Sequence, residues 1–114
     1  MINKEIIKMA EDIMHNFDTI ISLFDMSFIY ISEESAKISG YSPEEMMGKH
    51  ISNFMTTDSK SEKFSKVIMN SISGKAVVPI KTKFGKKIEI LMEFITIKVN
   101  DEPFLVTRAV KAIK

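Results

Sequence analysis

The residues able to do chemistry are few and scattered. The two histidines, His15 and His50, fall in separate segments, and neither has Ser, Asp or Glu at the spacing of a nucleophile–base pair. His15 closes an N-terminal helical pattern, where a positive ring suits the end of a helix dipole. His50 follows Gly48-Lys49, a place for a capping or surface ring. Glu44 and Glu45 have the look of an acid–base pair. They follow Ser42-Pro43, however, and so occupy the first turn of a helix, where the dipole accounts for both. The four glycines stand at 40, 48, 74 and 85, too far apart to present the run of backbone N–H groups that cradles phosphate. With no Cys, the chain has no disulfide, thiolate metal site or cysteine nucleophile. No catalytic set emerges, no metal ligand set is expected, and the chain reads as a non-enzyme. The unusual count is nine methionines. Their flexible, polarisable side chains could line an adaptable apolar pocket for a small ligand, or simply fill a core rich in Ile.

The elements that would position these residues come in a clear order. Ile2, Ile6, Met9 and Ile13 recur at spacings of four, three and four, an amphipathic helix over 2–15 with Ile7, Ala10 and Met14 widening its stripe. Such a helix is marginal alone and must pack on its own domain or on a second copy. Thr19–Phe24 and Phe28–Ile31 are β-branched and aromatic, two strands of a hairpin. Three helix starts follow. Ser32 caps a short helix ended by Gly40; Ser42-Pro43-Glu44-Glu45 is a capping box stopped at Gly48; Ser59 and Glu62 repeat the box ahead of a stripe of Phe64, Val67, Ile68 and Ile72 that ends at Gly74. Ala76–Thr82, Lys87–Val99 and Phe104–Ala112 are strands joined by turns at Phe84-Gly85 and 100–103. In the second of these the apolar phase slips after Phe94, which means either a bulge or cover on both faces. The fold class is therefore α+β, a five-stranded antiparallel sheet with short helices on one face and an amphipathic helix at its N-terminal flank.

The segment Gly40-Tyr41-Ser42-Pro43-Glu44-Glu45-Met46-Met47-Gly48-Lys49, with Phe54 and Asp58 after it, resembles the signature of PAS domains. Asp25 and Ile29-Tyr30-Ile31 are similar to the family's opening hairpin, and Phe84-Gly85-Lys86 to a later turn, so the likeness runs over roughly 16–110. It implies a flanking helix at 1–16 and a PAS domain at 17–114. It also implies an interior cavity between sheet and helices, ringed by elements that carry Met46, Met47, Met55, Met69 and Met92. Phe54, Met55, Ile68, Ile72, Ile80, Met92 and Phe94 are the cavity candidates. Family members commonly pair through flanking helices, which makes Ile2, Ile6, Met9 and Ile13 the candidate seam of a homodimer. The resemblance implies a sensory module of a larger signalling protein, most often a two-component histidine kinase, that lodges a small apolar or weakly polar ligand. A ligand-free dimerisation module is the alternative.

The departures from the family pattern narrow the cofactor. Photosensors of this fold form a flavin adduct through Cys, which is absent. Haem-binding members place an axial His on the long helix, and residues 59–73 contain none. Ser32 stands where many members have Asn, and Arg108 is followed by Ala109 and Val110 where many signalling members continue to Asp-Ile-Thr. The cofactor is left open, with no covalent flavin and no haem expected.

Charge and size set the remaining bounds. The net charge is +1 overall, but the first 74 residues carry −4 and the last 40 carry +5. Lys81, Lys83, Lys86 and Lys87 crowd a hairpin tip, yet a single Arg in the chain is a thin footprint for a nucleic-acid reader. Solvation of an exposed hairpin explains the cluster better. No apolar run approaches the roughly twenty residues of a membrane helix, and the charged N-terminus is unlike a secretory signal. A single cytoplasmic domain of 114 residues is expected.

Overall fold

The computed structural model describes residues 4–113. Its elements follow the chain as α1 (Lys4–Ile13), β1 (Thr19–Ser22), β2 (Ser27–Ile31), α2 (Glu33–Ser39), α3 (Pro43–Met46), a 3-10 turn (Ile51–Phe54), α4 (Ser59–Asn70), β3 (Ser73–Lys81), β4 (Lys87–Val99) and β5 (Glu102–Ala112). The strands form one antiparallel sheet in the order β2-β1-β5-β4-β3, so the N-terminal hairpin joins the C-terminal meander through the β1–β5 pair.

The helix starts follow from local chemistry. Ser32 Oγ accepts the Ser35 N–H at 3.1 Å, and Ser42 and Glu45 close a reciprocal capping box behind Pro43. The cap of α4 is Asp58 rather than the expected Ser59. Its Oδ1 takes the N–H groups of Lys60 and Ser61 and the Thr56 hydroxyl, the last at 2.8 Å. A carboxylate with two lone pairs per oxygen satisfies more of the exposed donors than one hydroxyl can. The helix also stops at Asn70, before Gly74, because the Ile72 carbonyl accepts the Thr96 N–H and the chain is drawn into the sheet edge; Gly74 lies inside β3. Asn100 and Asp101 both have positive φ, the two-residue turn that matches the twist of β4 and β5.

The phase change in β4 has a layered cause. Met92 and Phe94 face the helical layer, in a core shared with Ile21, Phe28, Phe54, Phe64, Ile68 and Leu105, and Ile90 borders the cavity on the same face. Ile97 and Val99 face the opposite side, where α1 lies across the sheet with Ile6, Ala10, Met14 and Phe17 packed on Ile20, Phe104 and Val106. Cover therefore changes face along the strand while the alternation continues. The bulge in this region lies earlier, where the β4–β5 register shifts between Leu91 and Met92. Four successive buried residues in β1 and again in β5 have the same origin, since both strands are covered on both faces. No helix among the described residues is long and apolar enough to cross a membrane.

Candidate functional site

Between the sheet and the helices lies a cavity of about 80 Å³. Its walls are apolar: Ile21 and Phe28 from the first hairpin, Ile31, Met46 from α3, Ile51, Phe54 and Met55 from the 3-10 turn and its exit, Phe64 from α4, and Val78, Ile80, Ile90 and Met92 from β3 and β4. One corner is polar. Asp18 and Thr19 at the start of β1, Thr107 on β5 and Ser35 on α2 meet there, beside Ile38 and Ala109. Ile38 and Ala109 are exposed while Asp18 and Ser35 are half-buried, so this corner is the rim that solvent reaches.

Register explains how the corner forms. Thr19 and Thr107 are partners across the β1–β5 ladder, and their buried hydroxyls hydrogen-bond to each other. Asp18 is locked beside them: its N–H donates to the Thr107 carbonyl, its carbonyl accepts the Ser32 N–H, and its carboxylate accepts the Ala109 N–H at 2.7 Å and the Ser32 hydroxyl at 3.3 Å. Ser39 Oγ donates to the Ala36 carbonyl at 2.7 Å. Among the described residues no Lys, Arg or His borders the cavity.

Of the seven residues expected in the cavity, Phe54, Met55, Ile80 and Met92 border it. Ile68 and Phe94 are buried in the same core without bordering it, packed behind the wall. Ile72 needs correction: it is 76% exposed, because α4 ends two residues earlier and the helical stripe that would have turned it inward no longer exists. Among the methionines, Met46 joins Met55 and Met92 at the cavity, whereas Met47 and Met69 face solvent. The polar residues Asp18, Thr19, Ser35 and Thr107 escaped sequence reasoning. Their only signal was parity, since Thr19 alternates with Ile21, and Thr107 with Leu105, at inward positions of otherwise apolar strands.

The N-terminal seam is divided. Ile6 is buried against the chain's own sheet, Met9 packs at the edge of that cluster, and Ile13 is 47% exposed; Ile2 lies outside the described residues. Ile13 borders a groove with Lys75, Glu93 and Ile95, next to the outward-facing pair Val77 and Leu91. Arg108 pairs with Glu93 in that groove and donates to the His15 carbonyl.

Several charges are fixed by local hydrogen bonds. The Ser42 backbone N–H, with Lys83 behind it, holds the Glu45 carboxyl below its usual range, and the Thr56 hydroxyl does the same for Asp58. The Ser27 hydroxyl lowers Asp25, and the ion pair with Glu89 raises Lys60. The basic hairpin is less free than its sequence implied. Lys83 reaches Glu45 at 3.2 Å, and its N–H donates to the Ser39 carbonyl at 2.8 Å, which docks the β3–β4 turn on the end of α2. His50 is exposed, with Nδ1 accepting the Ser52 N–H as the cap of the 3-10 turn.

Large ring cofactors do not fit this cavity. A dry cavity of about 150 Å³ takes one benzene ring, and about 80 Å³ leaves no room for the fused rings of a flavin or a porphyrin. Among the described residues no three His, Asp or Glu side chains gather as a metal-binding group.

A family model for the PAS domain matches residues 18–110. No curated protein sequence matches the chain. Among solved structures, the PAS domain of a two-component sensor histidine kinase superposes with a TM-score of 0.71 at 12% identity, over 96% of this chain and 99% of the other. The PAS domain of the fruit-fly ELK potassium channel gives 0.68 at 19% identity, over 95% of each chain. The PAS-B domain of Drosophila melanogaster Cycle with bound ethylene glycol gives 0.68 at 16% identity, over 83% of this chain and 98% of that one. At these identities the likeness is one of fold.

Proposed function

The chain belongs to the PAS domain family, and from that premise we propose that it is the sensory part of a larger signalling protein such as a two-component histidine kinase. In this reading the cavity holds a small ligand and the change is passed on through a cytoplasmic homodimer. The observation that carries it is the cavity itself: an apolar chamber with one polar, solvent-reached corner, of the form small-molecule sites take. Its size suits a ligand of a few heavy atoms, and the wild-type Cycle PAS-B domain has been solved with bound ethylene glycol, a molecule of that size.

The route outward is short. Thr107 lies on the cavity and Arg108, the next residue, faces the other side of the sheet and holds the end of α1 through His15. A ligand that moves β5 therefore bears on α1. Binding shifts the signalling state only by its difference in affinity for the two placements of that helix. The dimer reading rests on the exposed Ile13 and Val77 with half-buried Leu91 opposite Val77, near the Glu93–Arg108 pair. That same surface favours the second reading, in which the domain only dimerises and the cavity is packing.

Xenon separates the two, since it enters small apolar cavities without needing a polar partner. Under xenon pressure the methyl signals of Met55 and Met92 should shift and saturate. Unmoved methyls, with a native mass twice that of the chain and nothing added, would leave the dimerisation module as the standing account.

A further inference from the structure

We infer that the cavity is built for a short-chain alcohol, a ligand whose single hydroxyl sits in the polar corner and whose few carbons lie against the apolar wall. This rests on the ligand-binding reading above and names the chemistry of that site.

The argument is one of donors and acceptors. Each threonine hydroxyl has one hydrogen and two lone pairs. Thr19 and Thr107 have only each other as side-chain partners among the described residues, so one hydrogen is spent in the bond between them and the other has no protein acceptor. Both side chains are buried, at 7% and 4% exposure, and among the described residues neither hydroxyl has a second protein partner. Ser35 donates its backbone N–H to Ser32 Oγ, and its own Oγ, on the cavity, has no partner among the described residues. The corner thus offers a donor that wants an acceptor. It also offers spare acceptor capacity: the unused lone pairs of the threonines and Ser35, and the Asp18 carboxylate, of whose roughly four acceptor positions only some are filled by Ser32 and Ala109.

Three other head groups each fail one of these tests. A carboxylate brings a negative charge toward Asp18 into a cavity with no bordering cation. An ammonium can satisfy the acceptors, but has no lone pair for the threonine hydrogen. A ketone takes that hydrogen and donates nothing back. A hydroxyl is donor and acceptor at once. The volume sets the chain length: about 80 Å³ against the ~150 Å³ that houses benzene limits the ligand to about three to five heavy atoms.

Four molecules with the same four-heavy-atom skeleton isolate the head group: propan-2-ol, acetone, isopropylammonium and acetate. Each is titrated into the isotope-labelled 114-residue chain, and amide and methyl shifts around Thr19, Ser35, Thr107 and Met92 are followed. Propan-2-ol should give saturable shifts confined to those residues, at least about fivefold tighter than any of the other three. Thr107→Val, which keeps the shape and removes the hydroxyl, should erase that preference, and Thr107→Ser should restore it. Should Thr107→Val fail to fold, Ser35→Ala on the half-buried rim is read instead and should weaken propan-2-ol about threefold with acetone unchanged. Equal or tighter binding of acetone, isopropylammonium or acetate would overturn the alcohol assignment while leaving a ligand-binding cavity. If propan-2-ol produces only linear, non-saturating shifts across the whole surface, the assignment is overturned too; a xenon response in the same sample then keeps the cavity as a ligand site, and its absence removes that reading as well.

Discussion

Arg108 and His15, 93 residues apart, are joined by a hydrogen bond of 2.6 Å from the guanidinium Nη1 to the His15 carbonyl oxygen. The carbonyls at the end of a helix lack partners within it, and a cation there also complements the dipole. Arg108 thereby ties the end of α1 to the sheet while its Nη2 pairs with Glu93 on the neighbouring strand. The bond runs from the strand that borders the cavity to the element that flanks the domain.

Removing that tie should loosen α1 selectively. Arg108→Ala is expected to cost about 1 kcal/mol of global stability, the scale of a partly exposed charged contact. Amide exchange in residues 4–13 should accelerate more than in β4. Uniform protection across both elements would show that α1 is held by its apolar face alone.

The two halves of the N-terminal stripe should behave differently. Ile6→Asp places a charge in the packed layer between α1 and the sheet and should destabilise the monomer strongly. Ile13→Asp, on the exposed side, should leave folding intact and shift the sedimentation of a homodimer toward the monomer. An Ile13→Asp protein with an unchanged mass would remove this face from the interface.

Burial makes a second contrast, between Leu105 on β5 and Ile72 just past α4. Leu105→Ala, at a fully buried site in the main core, should cost about 2–5 kcal/mol, the range for a large-to-small change that leaves a cavity. Ile72→Ala, despite the same loss of hydrocarbon, should stay within about 0.5 kcal/mol of the parent. Denaturant midpoints at constant m-value read both.

Gly40 has φ +82°, and a Cβ added there would meet the Lys83 Cβ at 3.4 Å. Gly40→Ala should therefore cost about 1–2 kcal/mol from the left-handed backbone alone. It should also weaken the docking of the β3–β4 turn on α2, visible as faster exchange of the Lys83 amide, whose acceptor is the Ser39 carbonyl. Slow exchange retained in the variant would mean that the Lys83–Glu45 pair holds the turn unaided.

The acid limb of stability should carry the signature of Asp58. Its folded pKa is depressed, chiefly by the Thr56 hydroxyl, so its stabilising effect is present above the unfolded value and is lost as pH falls through the folded one. Asp58→Asn keeps a competent cap and removes the titration. Its stability should therefore fall less steeply below about pH 4, near the ordinary Asp value. Parallel acid limbs in the two proteins would assign the slope to the other depressed carboxylates, Asp25 and Glu45.

Sequence alone determined the features that need only neighbours. Capping by Ser32 and by the Ser42–Glu45 box, the strand run Lys87–Val99 and the order of elements follow from side chains three or four residues apart and from local alternation. The family was legible in the segment 40–49, and of the seven cavity candidates that its resemblance implied, four border the cavity. Competition between neighbours was already beyond such local pattern: Asp58 displaces Ser59 as a cap, and sheet pairing ends α4 before Ile72 can turn inward. The β4 phase change was visible, but its meaning depends on α1 crossing the far face of the sheet, a contact between segments some ninety residues apart. The polar corner is the extreme case. Thr19 and Thr107 are separated by 88 residues and meet because the β1–β5 register places them opposite each other. A threonine in a strand is unremarkable by itself. Only tertiary pairing makes two of them into a buried, hydrogen-bonded hydroxyl pair on the cavity wall.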